Sequence, residues 1–166
     1  MNACESILGL NPYQGGKPIE ELERELGITN ITKLASNENP LGVSSKVIEA
    51  IKSSLSGINR YPDGNAFELK KAISDRLMVA SEMISLGNGS NELLELIARV
   101  FVCEKTDEVI FSQYAFVVYP LVTQALGATA KISPAKNYGH DLNAMLGLIN
   151  ENTKLIFVAN PNNPTG

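Results

Sequence analysis

Apolar positions along this chain fall first into helical periods and then into an alternation of strands and helices. Val47, Ile48, Ile51 and Leu55 mark one face of a helix over 45–55, which Gly57 ends. Leu69, Ile73 and Leu77 stack in the same way over 66–78. Upstream, Pro18 opens and Gly27 closes a short helix, the usual placement of those two residues. Glu20 and Arg24 stand four apart on its surface. Residues 1–17 read as an irregular, turn-rich arm, and 32–36 as a short strand. From 83 onward the periods alternate: strand 83–86, helix 91–102, strand 108–112, helix 117–126 with Pro120 starting or kinking it, strand 128–132, helix 142–149 and strand 154–159. Strands separated by helices at this spacing predict an α/β fold, a mostly parallel sheet with helices on both faces.

Composition narrows the picture. The 166 residues allow about one domain, and 44% hydrophobic with 19% charged is too apolar for disorder. No apolar run approaches the roughly 20 residues of a spanning helix. The start, Met1-Asn2-Ala3-Cys4-Glu5, lacks a signal-peptide profile, so a cytoplasmic protein is expected. Fourteen basic against eighteen acidic residues, net −4, argues against a nucleic-acid surface. Cys4 and Cys103 make no disulfide framework and no metal-ligand spacing, and His140 is the only histidine. No metal site is expected. Cys103 closes the stretch Val100-Phe101-Val102 and reads as a buried, inert thiol rather than a nucleophile partnered by His140. His140, in a Tyr-Gly-His-Asp loop, reads as a surface or capping residue.

In an open α/β sheet, ligands sit outside the carboxyl ends of the strands, so the residues following each strand carry the candidate chemistry. Gly87-Asn88-Gly89-Ser90-Asn91-Glu92 is a glycine turn entering a helix. Its first free N–H groups suit a phosphate. It equally suits a capping box in which Glu92 reaches back to the helix start. The spacing matches neither a dinucleotide fingerprint nor a P-loop. Tyr114-Ala115-Phe116 follows the strand at 108–112, where an aromatic ring either covers a flat ligand or joins the core. Asn160-Pro161-Asn162-Asn163-Pro164-Thr165-Gly166 follows the last apolar strand. Each residue before a proline is held extended, giving a rigid turn, and Asn160 or Asn163 could donate to an anionic oxygen. Tyr61 lies in the turn Asn59-Arg60-Tyr61-Pro62-Asp63-Gly64, ordinarily a surface turn.

Together these segments resemble the aminotransferases of the aspartate-aminotransferase fold, which use pyridoxal phosphate. The last turn is similar to their Asn-Pro-x-x-Pro-Thr-Gly signature. Asn11-Pro12-Tyr13, Leu34-Ala35-Ser36-Asn37-Glu38-Asn39-Pro40, Arg60-Tyr61-Pro62-Asp63 and Gly87-Asn88-Gly89-Ser90 follow the order of the histidinol-phosphate branch of that family. The likeness runs from about Asn11 to Gly166.

That resemblance implies a fold and a set of roles. The chain would be the amino-terminal part of the fold: an arm and short helix over 1–30, part of a small domain over 31–56, and an incomplete cofactor-binding domain over 57–166. Backbone N–H groups at Ser90 and Asn91 would hold the cofactor phosphate, Phe116 would stack on the pyridine ring, and Asn163 would donate to the phenolate oxygen. Tyr61 would reach the phosphate of the partner's site in a homodimer. Tyr13, Ala35, Ser36 and Asn37 would lie near the substrate. Asn91 departs from the acidic residue common in relatives, which matters little if only backbone is used. The implied reaction converts histidinol phosphate and 2-oxoglutarate to imidazole acetol phosphate and glutamate, in histidine biosynthesis. An aromatic-amino-acid aminotransferase, a phosphothreonine decarboxylase or a non-catalytic ligand-binding module are the alternatives. The Schiff-base lysine would lie beyond Gly166, since Lys131, Lys136 and Lys154 all precede the signature. No catalytic residue is therefore expected within the chain, and these residues alone should be inactive.

Overall fold

Five consecutive residues, Glu108–Ser112, are buried along their whole length, and the computed structural model, which describes residues 3–166, is organised around them. In chain order the elements are α1 (Glu5–Leu8), α2 (Ile19–Leu26), α3 (Ser45–Ser54), α4 (Phe67–Leu77), α5 (Ser90–Phe101), β1 (Glu108–Ser112), α6 (Val118–Ala125), β2 (Thr129–Ser133), β3 (Ala135–Lys136), β4 (Gly139–His140), α7 (Leu142–Gly147) and β5 (Thr153–Ile156). They divide into two units, one formed by the first thirteen residues with Ser85–Gly166, the other by Gln14–Ile84.

In the larger unit β1 is the central strand of the order β2-β1-β5, parallel to both neighbours. A central strand of a parallel sheet is covered on both faces, which is why Val109-Ile110-Phe111 reads as an unbroken apolar run rather than an alternation. Val109 and Ile110 are wholly inaccessible. Around them lie two clusters: Val102, Val109, Phe111, Tyr119 and Phe157, then Ala98, Val118 and Val122. Tyr119 and Phe157 stack with centroids 4.4 Å apart, and burial raises the Tyr119 hydroxyl above its ordinary pKa. Pro120 sits in the first turn of α6, where a missing N–H costs no helical bond.

The amino end of β1 is polar. Asp107 accepts the backbone N–H groups of Glu104 (2.9 Å) and Cys103 (2.8 Å), and these bonds, with Lys154 nearby, hold its carboxyl below the usual range. Glu108 is lowered likewise by the Asn150 amide at 2.7 Å and the Lys131 ammonium at 3.1 Å.

The smaller unit holds α2, α3 and α4. Pro18 precedes α2 and Gly27 closes it in the left-handed conformation. Asp63 accepts the N–H groups of Asn65 and Phe67, both at 2.9 Å, and so starts α4; the same bonds lower its carboxyl pKa. No residue of this unit is fully buried, and the stripe of Val47, Ile48, Ile51 and Leu55 stays largely exposed.

Five expectations are corrected. Residues 5–8, taken as irregular, form one helical turn whose Ser6 hydroxyl donates to the Ala125 carbonyl. Neither 32–36 nor 83–86 is a strand: Ser81–Met83 is a 3-10 turn, Ile84 is extended, and no neighbouring strand among the described residues pairs with either stretch. Cys103 is exposed rather than buried, because Asp107 captures its amide and turns the chain outward just past buried Val102. The hairpin β3–β4, read as loop, is closed by Asn137 and Tyr138, both at positive φ, the geometry such two-residue turns require.

Truncating Ile110 to alanine should cost the full-length protein about 2–5 kcal/mol in a denaturant melt, against about 0.5–1.5 for Ile110→Val. A lowered native carboxyl pKa adds stability that is present above the unfolded value, about 3.9, and lost as pH falls through the native one. Asp107→Asn should therefore lower the denaturation midpoint at pH 7, with the gap to wild type closing below about pH 4. A gap independent of pH would contradict the carboxylate's role.

Candidate active site

The glycine turn before α5 is shaped by close approach. A Cβ on Gly87 would lie 2.9 Å from the Leu93 side chain and 3.0 Å from the Glu92 carboxylate. Gly89, which precedes the first helical residue, has φ 89°, where side chains are strained. The Glu92 carboxylate reaches back to the turn as its spacing suggests, but it accepts the Asn88 N–H, one residue before the Gly89 cap position that a capping box would use. Its charge is thereby drawn back onto the turn. The N–H groups of Ser90 and Asn91 find no acceptor among the described residues. Both residues are exposed, at the positive end of a twelve-residue helix.

Because β1, β2 and β5 are parallel, their carboxyl ends share one edge. The β1 strand leaves it through Tyr114 and Phe116. Phe116 is half-buried, packed on both core clusters and edge-on to Tyr119 at 6.0 Å. Leu94, one turn into α5, packs on the same clusters, which brings the start of that helix to the side of the sheet where Phe116 lies. Tyr114 keeps 39% of its surface exposed, its ring 5.4 Å from that of Tyr138.

After β5, the Phe157 N–H still bonds the Ile110 carbonyl at 2.8 Å, and the chain then turns through two cis peptide bonds, Asn160-Pro161 and Asn163-Pro164. His140 Nε2 lies 2.7 Å from the Ala159 carbonyl, which makes Nε2 the protonated nitrogen. His140 is thus a fastening between β4 and the residues after β5. Asn163 is half-buried, while Asn162 is only 7% exposed. The Asn162 amide donates to the Tyr114 carbonyl at 2.9 Å and to the Thr165 hydroxyl at 2.7 Å; its Oδ1 has no donor among the described residues.

The larger unit therefore contains Ser90, Asn91, Phe116 and Asn163, with Tyr13 exposed at the end of its first segment. Ala35, Ser36, Asn37 and Tyr61 belong to the smaller unit, all exposed. Ser36 and Asn37 hold positive φ, 74° and 49°, a conformation rare for residues other than glycine and often met at binding sites. Asn162 and Tyr138 were missed as site residues. Asn162 is the one asparagine of its turn not followed by proline, so chain stiffness gave no reason to single it out. Tyr138 was signalled only by the Asn137-Tyr138-Gly139 turn. No metal-binding group of acids, histidines and cysteines occurs among the described residues.

Comparison with known proteins gives a consistent answer. The family model of aminotransferase class I and II matches residues 29–166. Histidinol-phosphate aminotransferase 1 of Mannheimia succiniciproducens is 62% identical over 164 residues, covering 99% of this chain and 44% of the relative. Histidinol-phosphate aminotransferase 2 of Haemophilus influenzae is 58% identical with the same coverage. The chain thus spans under half the length of the curated relatives it matches. The crystal structure of histidinol-phosphate aminotransferase from Sinorhizobium meliloti in complex with pyridoxal-5'-phosphate superposes with a TM-score of 0.85 at 27% identity, over 98% of this chain and 43% of that one. A Thermus thermophilus aspartate aminotransferase mutant, 21% identical with a TM-score of 0.78, covers 100% of this chain and 46% of its own, and shares the fold.

Gly87→Ala should destabilise the full-length protein by about 1–3 kcal/mol through overpacking against Leu93. Gly89→Ala, where nothing lies within reach of a new Cβ, should cost only the backbone strain of holding a side chain at φ 89° and ψ 167°, about 1–3 kcal/mol. Thermal melts of the cofactor-free protein check both.

Proposed function

This chain belongs to the aminotransferase class I and II family, and we propose on that premise that the whole protein transfers an amino group between histidinol phosphate and 2-oxoglutarate. What carries the reading is the start of α5: two backbone N–H groups, at Ser90 and Asn91, free and aimed outward from a glycine turn. The names of the most similar relatives supply the substrate.

The residues fit pyridoxal phosphate. The α5 amides take the phosphate, and Asn163 donates to the phenolate oxygen. Of the two aromatic residues after β1, Phe116 is engaged with the core, whereas Tyr114 is the exposed one. We therefore assign the ring-covering role to Tyr114, with Phe116 supporting it from below. Once bound, the cofactor supplies the electron sink that transamination needs at the substrate's α-carbon. The protein orients it through these contacts. Tyr13, Ala35, Ser36 and Asn37 are assigned to the substrate, and Tyr61, fully exposed, to the phosphate of a partner's site.

Lys131 and Lys154 pair with Glu108 and Asp107 at the amino end of the sheet, opposite this rim. Lys136, in the β3–β4 hairpin, like these two precedes the Asn160–Gly166 turn, and by the family resemblance the lysine that anchors the cofactor and moves the α-proton follows it. That lysine is assigned outside these 166 residues, which alone would not turn over. The division into an arm over 1–30, part of a small domain over 31–56 and the first part of a large domain over 57–166 belongs to the same proposal. So does a homodimer, supported by the uncovered apolar stripe of α3. No helix among the described residues is long and apolar enough to cross a membrane. Two free, exposed cysteines suit the reducing cytoplasm, where we place the protein.

The full-length protein should form glutamate from histidinol phosphate and 2-oxoglutarate. Turnover of aromatic amino acids or decarboxylation of phosphothreonine, with histidinol phosphate inert, would overturn the assignment. Asn163→Ala should weaken cofactor binding by about 1.5–3 kcal/mol, read by absorbance titration. Ser90→Pro should weaken it far more than Ser90→Ala: proline is tolerated as the first helical residue but deletes the N–H. Mixing Tyr61→Phe subunits with subunits lacking the anchoring lysine should yield hybrids more active than either parent.

A further inference from the structure

The Asn162 side chain joins three segments that are distant in sequence. One amide hydrogen goes to the Tyr114 carbonyl in the β1–α6 loop, and the other to the Thr165 hydroxyl in its own turn. The Thr165 hydroxyl passes its hydrogen on to the Tyr138 carbonyl in the β3–β4 turn, 2.8 Å away. Both donors of the amide are used, and the relay has a single direction. Thr165 must accept from Asn162 in order to donate to Tyr138. The Asn162 side chain is buried, which screens its own two bonds from water, whereas the Thr165–Tyr138 bond lies at the surface. Asn163 is its chain neighbour, and Tyr114 is the residue whose carbonyl it holds.

We infer that Asn162 is a positioning residue: its amide sets the spacing between Tyr114 and Asn163, and through Thr165 it seats Tyr138 beside Tyr114. The inference rests on the cofactor reading of this rim, under which Tyr114 and Asn163 touch the cofactor and Asn162 does not. An aspartate of the same shape offers only acceptors. It would face the Tyr114 carbonyl without a hydrogen to share, so shape alone does not satisfy the position.

The test uses the full-length protein with Asn162→Asp, Thr165→Val and Thr165→Ser. In the cofactor-free form, hydrogen exchange followed by mass spectrometry should show faster exchange over 113–117 and 137–140 in Asn162→Asp. It should show faster exchange over 137–140 in Thr165→Val, and wild-type rates in Thr165→Ser, which keeps the hydroxyl. Thr165 is exposed, so its variants test the relay even if Asn162→Asp does not fold. In the loaded form, Asn162→Asp or Thr165→Val should bind pyridoxal phosphate about tenfold or more weakly, the loss expected when a hydrogen bond to a charged oxygen is misplaced. The pH at which the bound cofactor's absorbance changes should shift as well, while Thr165→Ser restores both. Wild-type affinity and spectrum in Asn162→Asp, or in Thr165→Val with unchanged exchange at 137–140, would overturn the positioning role. A wild-type protein that takes up no pyridoxal phosphate would instead overturn the reading of the rim, and this inference with it.

Discussion

Burial of β1 between two parallel neighbours is the constraint on which the larger unit depends. A parallel pair cannot be joined by a tight turn, so each neighbour of β1 is reached by a crossover, through α6 to β2 and through α7 to β5. Those crossovers supply the apolar cover that Val109, Ile110 and Phe111 require. They also send every strand the same way, so all the loops that leave carboxyl ends gather at one edge. The opposite edge takes the charge: Asp107 and Glu108 are buried carboxylates satisfied by amides and lysines. A functional rim and a charged base follow from one pairing choice.

Under the proposed cofactor reading, the rim would combine two kinds of recognition. At α5 the attraction for an anion would come from the backbone, from N–H groups that helix geometry leaves free, so side-chain identity at Ser90 and Asn91 would matter little. Around β1 and β5 recognition would be by side chains whose placement must be enforced. The two Asn-Pro pairs stiffen their turn, and His140, Asn162 and Thr165 fasten it to the strands and the hairpin.

Much of this was legible in the residues. Pro18 and Gly27 bracket α2, and the Val-Ile-Phe run between Glu108 and Ser112 marks β1. The glycine turn entering α5 anticipated the free amides and the reach of Glu92 back to the turn, though Glu92 bonds Asn88 rather than the cap residue Gly89. The misreadings share a cause. A strand exists only if a neighbour completes its ladder: 32–36, where Ser36 holds positive φ, and 83–86, where Met83 ends a 3-10 turn, have no partner among the described residues. Cys103 was judged by the apolar run before it, yet Asp107 four residues later decides where it points.

What the sequence by itself determined is local: helix limits set by proline, glycine and side-chain caps, the central strand set by an unbroken apolar run, and the turn before α5 set by glycines. The family resemblance rests on motifs of the same local kind. Only the tertiary structure decided which of two neighbouring aromatics joins the core and which stays exposed at the rim. It alone showed that Asn162, between two more conspicuous asparagines, is the one that ties the loops together. The reason is physical: caps and turns are hydrogen bonds between residues a few positions apart and are written in spacing, whereas the burial of a ring or the partner of a buried amide depends on segments that meet only when the sheet has formed.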